Sequence, residues 1–115
     1  MTVATFKITK NVVKKVIDLT VGDQMTLEEA DRFAREFQRT AKSIDASSWT
    51  LDVDCTGMKV LTQDLTLKLT GAMGLYKEAG FQKVIFTVKE NNILKMQLMR
   101  VARTAGLNNF EVVSI

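Results

Sequence analysis

The chain of 115 residues is 46% hydrophobic and 25% charged with a net charge of +3, ordinary usage for one globular domain with its own core. It has no histidine and a single cysteine, Cys55, which excludes an internal disulfide, the commonest general acid/base and the commonest zinc ligand; any catalysis would run on carboxylates, lysines or hydroxyls. No apolar run nears the roughly 20 residues of a membrane-spanning helix, residues 1–10 lack the continuous hydrophobic segment of a signal peptide, and the basic residues form neither a run nor an alternation with aromatics, so a soluble, cytoplasmic protein with no nucleic-acid or membrane partner is expected.

Residues 3–21 are rich in valine, isoleucine, threonine and phenylalanine, with Phe6 and Ile8 alternating and then Ile17, Leu19 and Val21. This pattern predicts two strands in a hairpin, its turn falling across residues 9–11 or at Lys14 and Lys15. Thr26 and Glu29 have the spacing of a capping box, and Leu27, Ala30, Phe33, Ala34, Phe37, Ala41 and Ile44 then recur at three and four while Arg32, Arg35, Glu36, Arg39 and Lys42 fall on the opposite face. A helix begins there, and the polar residues 45–48 close it.

Residues 49–53 read as a buried strand, followed by TGMKVLTQDL, residues 56–65. Leu65, Leu69, Ala72, Met73 and Tyr76 then repeat helically, with Gly80 placed for a left-handed C-terminal cap. Gly71 and Gly74 lie inside this helix, where each costs up to about 1 kcal/mol relative to alanine, which predicts a neighbouring backbone packed closely against them. The apolar run 84–88 predicts a strand buried on both faces. Asn91 or Asn92 caps a third helix carrying Leu94, Leu98, Val101 and Ala105 and ended by Gly106, after which Phe110, Val112 and Ile115 suggest a last strand. The helical spacing of Phe33 with Phe37, and of Met96 with Met99, assigns them to the core. The order predicts a single α/β domain over residues 1–115: a mixed, mostly parallel sheet with an N-terminal hairpin strand at one edge and three helices.

Three features could carry chemistry. Asp52-Val-Asp54 at the end of a hydrophobic strand is similar to the aspartyl motif of haloacid-dehalogenase-like phosphatases, but that motif continues Gly-Thr where Cys55-Thr56 stand, and two polar positions at a strand exit are the plainer reading. Cys55 has no histidine to activate it and a carboxylate beside it, which predicts an inert thiol. Thr62-Gln63-Asp64 at a helix start can either cap the helix or accept a phosphoryl group, whose negative charge the helix dipole would favour. Neither G-x-x-x-x-G-K-[ST] nor G-x-G-x-x-G is present.

Over nearly its whole length the pattern resembles the STAS domain family, which includes the bacterial anti-sigma factor antagonists. In that family a Leu-Asp-Leu-like strand is followed by Ser-Gly-Val-x-Phe-Ile-Asp-Ser-Ser-Gly and a helix. Trp49-Thr-Leu-Asp-Val53 is similar to the strand, residues 56–61 to the loop, Ala79-Gly80-Phe81 to the approach to the next strand, and Leu98-Met-Arg-Val-Ala-Arg-Thr-Ala-Gly-Leu107 to the final helix.

The resemblance implies a STAS-like fold and a non-catalytic regulatory or scaffolding domain without cofactor or metal. It would bind a protein partner, an anti-sigma factor or a kinase-like ATPase, through Lys59, Thr62, Gln63, Asp64 and Leu65. Family members that act as switches are phosphorylated at the helix start. Here Gln63 and Asp64 take the two serine places and Thr62 the aspartate place, so either Asp64 fixes a negative charge or Thr62 is a shifted phosphoacceptor. A small aspartate-dependent phosphatase-like enzyme and a structural, homo-oligomer-forming component stand as alternatives.

Overall fold

Alternating apolar residues pair first into a hairpin, and three strand-helix-strand crossovers then extend the sheet. In the computed structural model, which describes residues 6–21, 27–58 and 60–115, β1 (Phe6–Asn11) and β2 (Val16–Val21) lead to α1 (Leu27–Lys42). A 3-10 turn (Ala46–Ser48) enters β3 (Thr50–Asp54), and α2 (Gln63–Ala79), β4 (Lys83–Val88), α3 (Asn92–Thr104) and β5 (Phe110–Ser114) follow. The sheet runs β1-β2-β3-β4-β5, antiparallel only between β1 and β2. The expected mixed, mostly parallel α/β fold is what the chain adopts. Val3 and the Thr26 half of the capping box lie outside the described residues.

This strand order decides where the core sits. Every crossover steps to the next strand in the same direction, and right-handed crossovers taken in one direction put all their helices on one face. Ile17, Leu19, Val21, Leu51, Val53, Val84, Phe86 and Val88 point to that face and are buried, with Phe6 and Ile8 registered beside Val21 and Leu19. The opposite face carries Asp18, Thr20, Asp52, Asp54 and Thr87, all partly or fully exposed. The expectation that residues 84–88 are buried on both faces is therefore corrected: β4 alternates, with Ile85 and Thr87 half-buried, because nothing covers the second face among the described residues.

Aromatic rings tie the helices to the sheet. Tyr76 of α2 stacks within 5.1 Å of Phe37 and 6.5 Å of Phe33, both on α1, and within 6.4 Å of Phe86 on β4, with Phe81 5.9 Å from Phe37. Such pairs add about 0.5–1.5 kcal/mol each beyond the area they bury. Both glycine stops behave as expected. Gly80 has φ 77°, and Gly106, at φ 82°, closes α3 through Leu107 N to Ala102 O at 2.9 Å and Gly106 N to Arg103 O at 3.0 Å.

Two further expectations are corrected. Among the described residues no backbone packs against Gly71 or Gly74: a Cβ at either would meet nothing of them within 4 Å, and beside Gly71 helices α1 and α2 leave an apolar cleft of about 290 Å³ lined by Ala30, Phe33, Ala34, Leu69 and Ala72. Met96 is not core but 64% exposed, because it lies off the Leu94–Leu98–Val101 stripe, and Met99 is only half-buried. The hairpin turn spans residues 12–15 and so takes in Lys14 and Lys15, the second of the two positions expected, with Asn11 Oδ1 accepting from Lys14 N at 3.1 Å and Lys15 left-handed at φ 55°. For a lysine that conformation costs about 1 kcal/mol. Among the described residues no helix is long and apolar enough to cross a membrane.

Candidate functional site

All three helices start at the end of the sheet where the parallel strands finish, the end at which open α/β sheets bind ligands. The β3–α2 connection is built there from its anchors outward. Cys55 N extends the ladder by donating to Thr87 O at 2.8 Å, and Met58 N closes a turn onto Cys55 O at 3.0 Å. Asp54 Oδ1 accepts from Thr56 N at 2.9 Å and from Thr56 Oγ1 at 2.7 Å, so this carboxylate shapes the strand exit. Met58 and Leu61 are buried and pin the loop to the core.

Gln97 of α3 then holds the loop from the side. Its Oε1 accepts from Leu61 N at 2.8 Å and its Nε2 donates to Leu61 O at 3.3 Å, so one side-chain amide satisfies both backbone groups of Leu61 as a paired strand would. The next residue is Thr62, whose extended backbone (φ −81°, ψ 166°) and Oγ1, accepting from Leu65 N at 3.2 Å, make it the N-cap of α2. Thr62 O also accepts from Thr66 N and Thr66 Oγ1, at 2.9 and 2.8 Å.

The sequence-predicted residues separate by role. Thr62, Gln63 and Asp64 stand together, exposed, on the first turn. Asp64 pairs with Lys68 at 3.0 Å, one turn along, and its charge lies where the helix dipole favours an anion. Leu65 is buried beneath them and anchors the helix start. Lys59 lies outside the described residues. Asp52 is on the uncovered sheet face, registered directly beside Asp18; burial first, then the charges of Asp18 and Asp54, raise its carboxyl above the ordinary value. Cys55 is buried, and its thiol is pushed up to about 12 by burial, reinforced by Asp54 and Asp52, so it remains protonated at neutral pH. Among the described residues no group of three or more His, Cys, Asp or Glu side chains is placed to hold a metal ion.

At the same end of the sheet the structure exposes apolar residues that the sequence reading missed. Val60 in the loop is 47% exposed, Leu67 on α2 68%, and Ile93 and Met96 on the first turns of α3 61% and 64%. Asp64, Leu67, Gly71, Gly74 and Glu78 follow at spacings of three and four, which lines them up along the outside of α2, opposite Leu65, Leu69, Met73 and Tyr76. Their signal was present in the periodicity: Leu67, Ile93 and Met96 sit off the buried stripes of their helices. Gln97 has no such signal, since a glutamine bonding a loop 36 positions away is visible only once the chain is folded.

Comparison of the sequence with protein-family models found no match, and comparison with curated proteins and with solved structures found none either.

Proposed function

We propose that the chain is a non-catalytic regulatory or scaffolding domain of STAS-like type that binds a protein partner at the start and along the outer stripe of α2. One observation carries this reading: Val60 in the β3–α2 loop, Leu67 on α2 and Ile93 and Met96 on α3 are exposed apolar residues near the helix starts, at the same end of the sheet as the polar residues Thr62-Gln63-Asp64. Exposed apolar groups at one end of a domain, with polar groups at the same end, can form a docking patch in which the apolar groups supply affinity and the polar ones orientation. The two glycines, with open space over them, would let a partner approach the α2 backbone closely.

The partner class that the resemblance implies is an anti-sigma factor or a kinase-like ATPase, in a reducing, cytoplasmic setting that suits the unpaired Cys55. Thr62 is exposed while its hydroxyl accepts a single amide bond, which supports Thr62 as the phosphoacceptor; a phosphate there would keep the favourable helix-start position while adding bulk and charge to the patch. Co-purification from the native host tests the reading. A partner retained in stoichiometric amount by the unaltered chain and lost by both Asp64→Lys and Leu67→Asp supports it. Retention by both variants sinks it. Incubating the chain with the partner kinase and ATP, then mapping phosphate, decides whether Thr62 is a switch.

A further inference from the structure

The opposite end of the domain carries a second surface, independent of the one just described. In the hairpin turn of residues 12–15, Val12 is 64% exposed and Val13 94%. Turns normally take glycine, asparagine, aspartate or serine, which supply the backbone angles or local hydrogen bonds a turn needs. Here two β-branched apolar residues occupy the tip, and Lys15 holds a left-handed position that glycine would take without strain. Three of four positions thus depart from turn chemistry, the kind of local inconsistency that marks function when folding gains nothing from it.

Although the lysines are spread along the sequence, the fold gathers four of them around this tip. Lys10, Lys14 and Lys15 flank the valines, and Lys10 Nζ donates to Ser43 Oγ at 3.4 Å, which brings in the last turn of α1 with Lys42 and Arg39. All five cations are exposed. Of the carboxylates on this side, Asp45, beyond the end of α1, is held by Ser47 and Ser48 and feels Lys15, and Glu36 shares a groove with Arg39. The acidic first turns, with Glu28 and Glu29 on α1 and Asp64 on α2, lie at the far end of the strands. The hairpin tip thus presents two exposed valines with Lys10, Lys14 and Lys15 beside them and Arg39 and Lys42 at the adjoining end of α1.

We infer that the hairpin tip is a membrane-surface site, in which Val12 and Val13 enter the interface of an anionic bilayer while Lys10, Lys14, Lys15, Arg39 and Lys42 meet its headgroups. Charge complementarity selects this occupant, and the valines discriminate among anionic ones: an acyl-chain boundary buries them, whereas a nucleic-acid backbone leaves them in water. Six-residue strands put roughly 20 Å between the two ends, so a chain seated by its hairpin would hold the α2 start away from the membrane and open to a partner.

Flotation of the full chain with vesicles tests this. It should float with phosphatidylcholine vesicles containing about 30 mol % phosphatidylserine, not with pure phosphatidylcholine, and the bound fraction should fall steeply with salt. Val12→Asp with Val13→Asp should lose at least about tenfold in affinity, and Lys14→Glu with Lys15→Glu a similar amount, while Leu67→Asp keeps full binding. The altered side chains are exposed, so melting temperatures should hold. Val13→Trp should bind more tightly, with its emission shifted to the blue on anionic vesicles. Failure to float with anionic vesicles, binding that ignores the valine substitutions, or a preference for duplex DNA over vesicles at the same salt would each overturn the assignment.

Discussion

Helices α1 and α2 lie side by side on one face of the sheet, share the same aromatic cluster, and treat their outer faces in opposite ways. α1 buries Phe33 and Phe37 and turns Arg32, Arg35, Glu36, Arg39 and Lys42 to solvent. α2 buries Leu65, Leu69, Met73 and Tyr76 just as firmly, yet its outer stripe is Leu67, Gly71 and Gly74 between Asp64 and Glu78. The exposed leucine adds nothing to the core, and each interior glycine costs the helix up to about 1 kcal/mol against alanine. The two helices do the same work for the core, and the difference between their outer faces is what the proposed partner site on α2 would account for.

The comparison can be broken at its shared support. Phe37→Ala removes the ring between Tyr76 and Phe81 and should destabilise the fold by about 3–5 kcal/mol, lowering the denaturant midpoint and losing both outer faces together. Thr62→Ala should cost about 1 kcal/mol in the same measurement, because Leu65 N loses its cap, with a matching change on α1 outside the aromatic cluster having less effect. Gly71→Ala and Gly74→Ala sharpen the contrast through their sign: each should stabilise the free chain by up to about 1 kcal/mol, since a Cβ meets nothing, while weakening partner capture.

The smallest effect concerns the uncovered sheet face. The Asp52 carboxyl is raised in the fold by burial and by Asp18 and Asp54, so its contribution favours the folded state below the ordinary aspartate range and is lost as pH rises through the raised value. Asp52→Asn should therefore raise the melting temperature slightly at neutral pH and make no difference in strong acid.

What the sequence made legible was local. Thr62, Asn91, Gly80 and Gly106 act through residues three to five positions away, and each performs the capping or stopping role its spacing implies. What stayed hidden depends on the order of the strands. One-sided covering, which leaves Ile85 and Thr87 half-buried, follows from all crossovers stepping the same way, and nothing in residues 84–88 alone announces it. The glycines of α2 were misread for a related reason: their spacing correctly signals an unusual helix face, while only the packing of α1 shows that no part of the described chain comes to meet it. At the candidate site the polar triplet was legible; the Gln97 clasp, which joins the β3–α2 loop to α3, was not.

The measurement that bears most directly on a partner-binding α2 is site-specific photo-crosslinking in the native host. With a photoreactive side chain at position 67 on α2 and, separately, at position 35 on α1, one discrete adduct should form at 67, identifiable by mass and abolished by Asp64→Lys, with none at 35. Equal labelling at both positions, or none at 67, would contradict it.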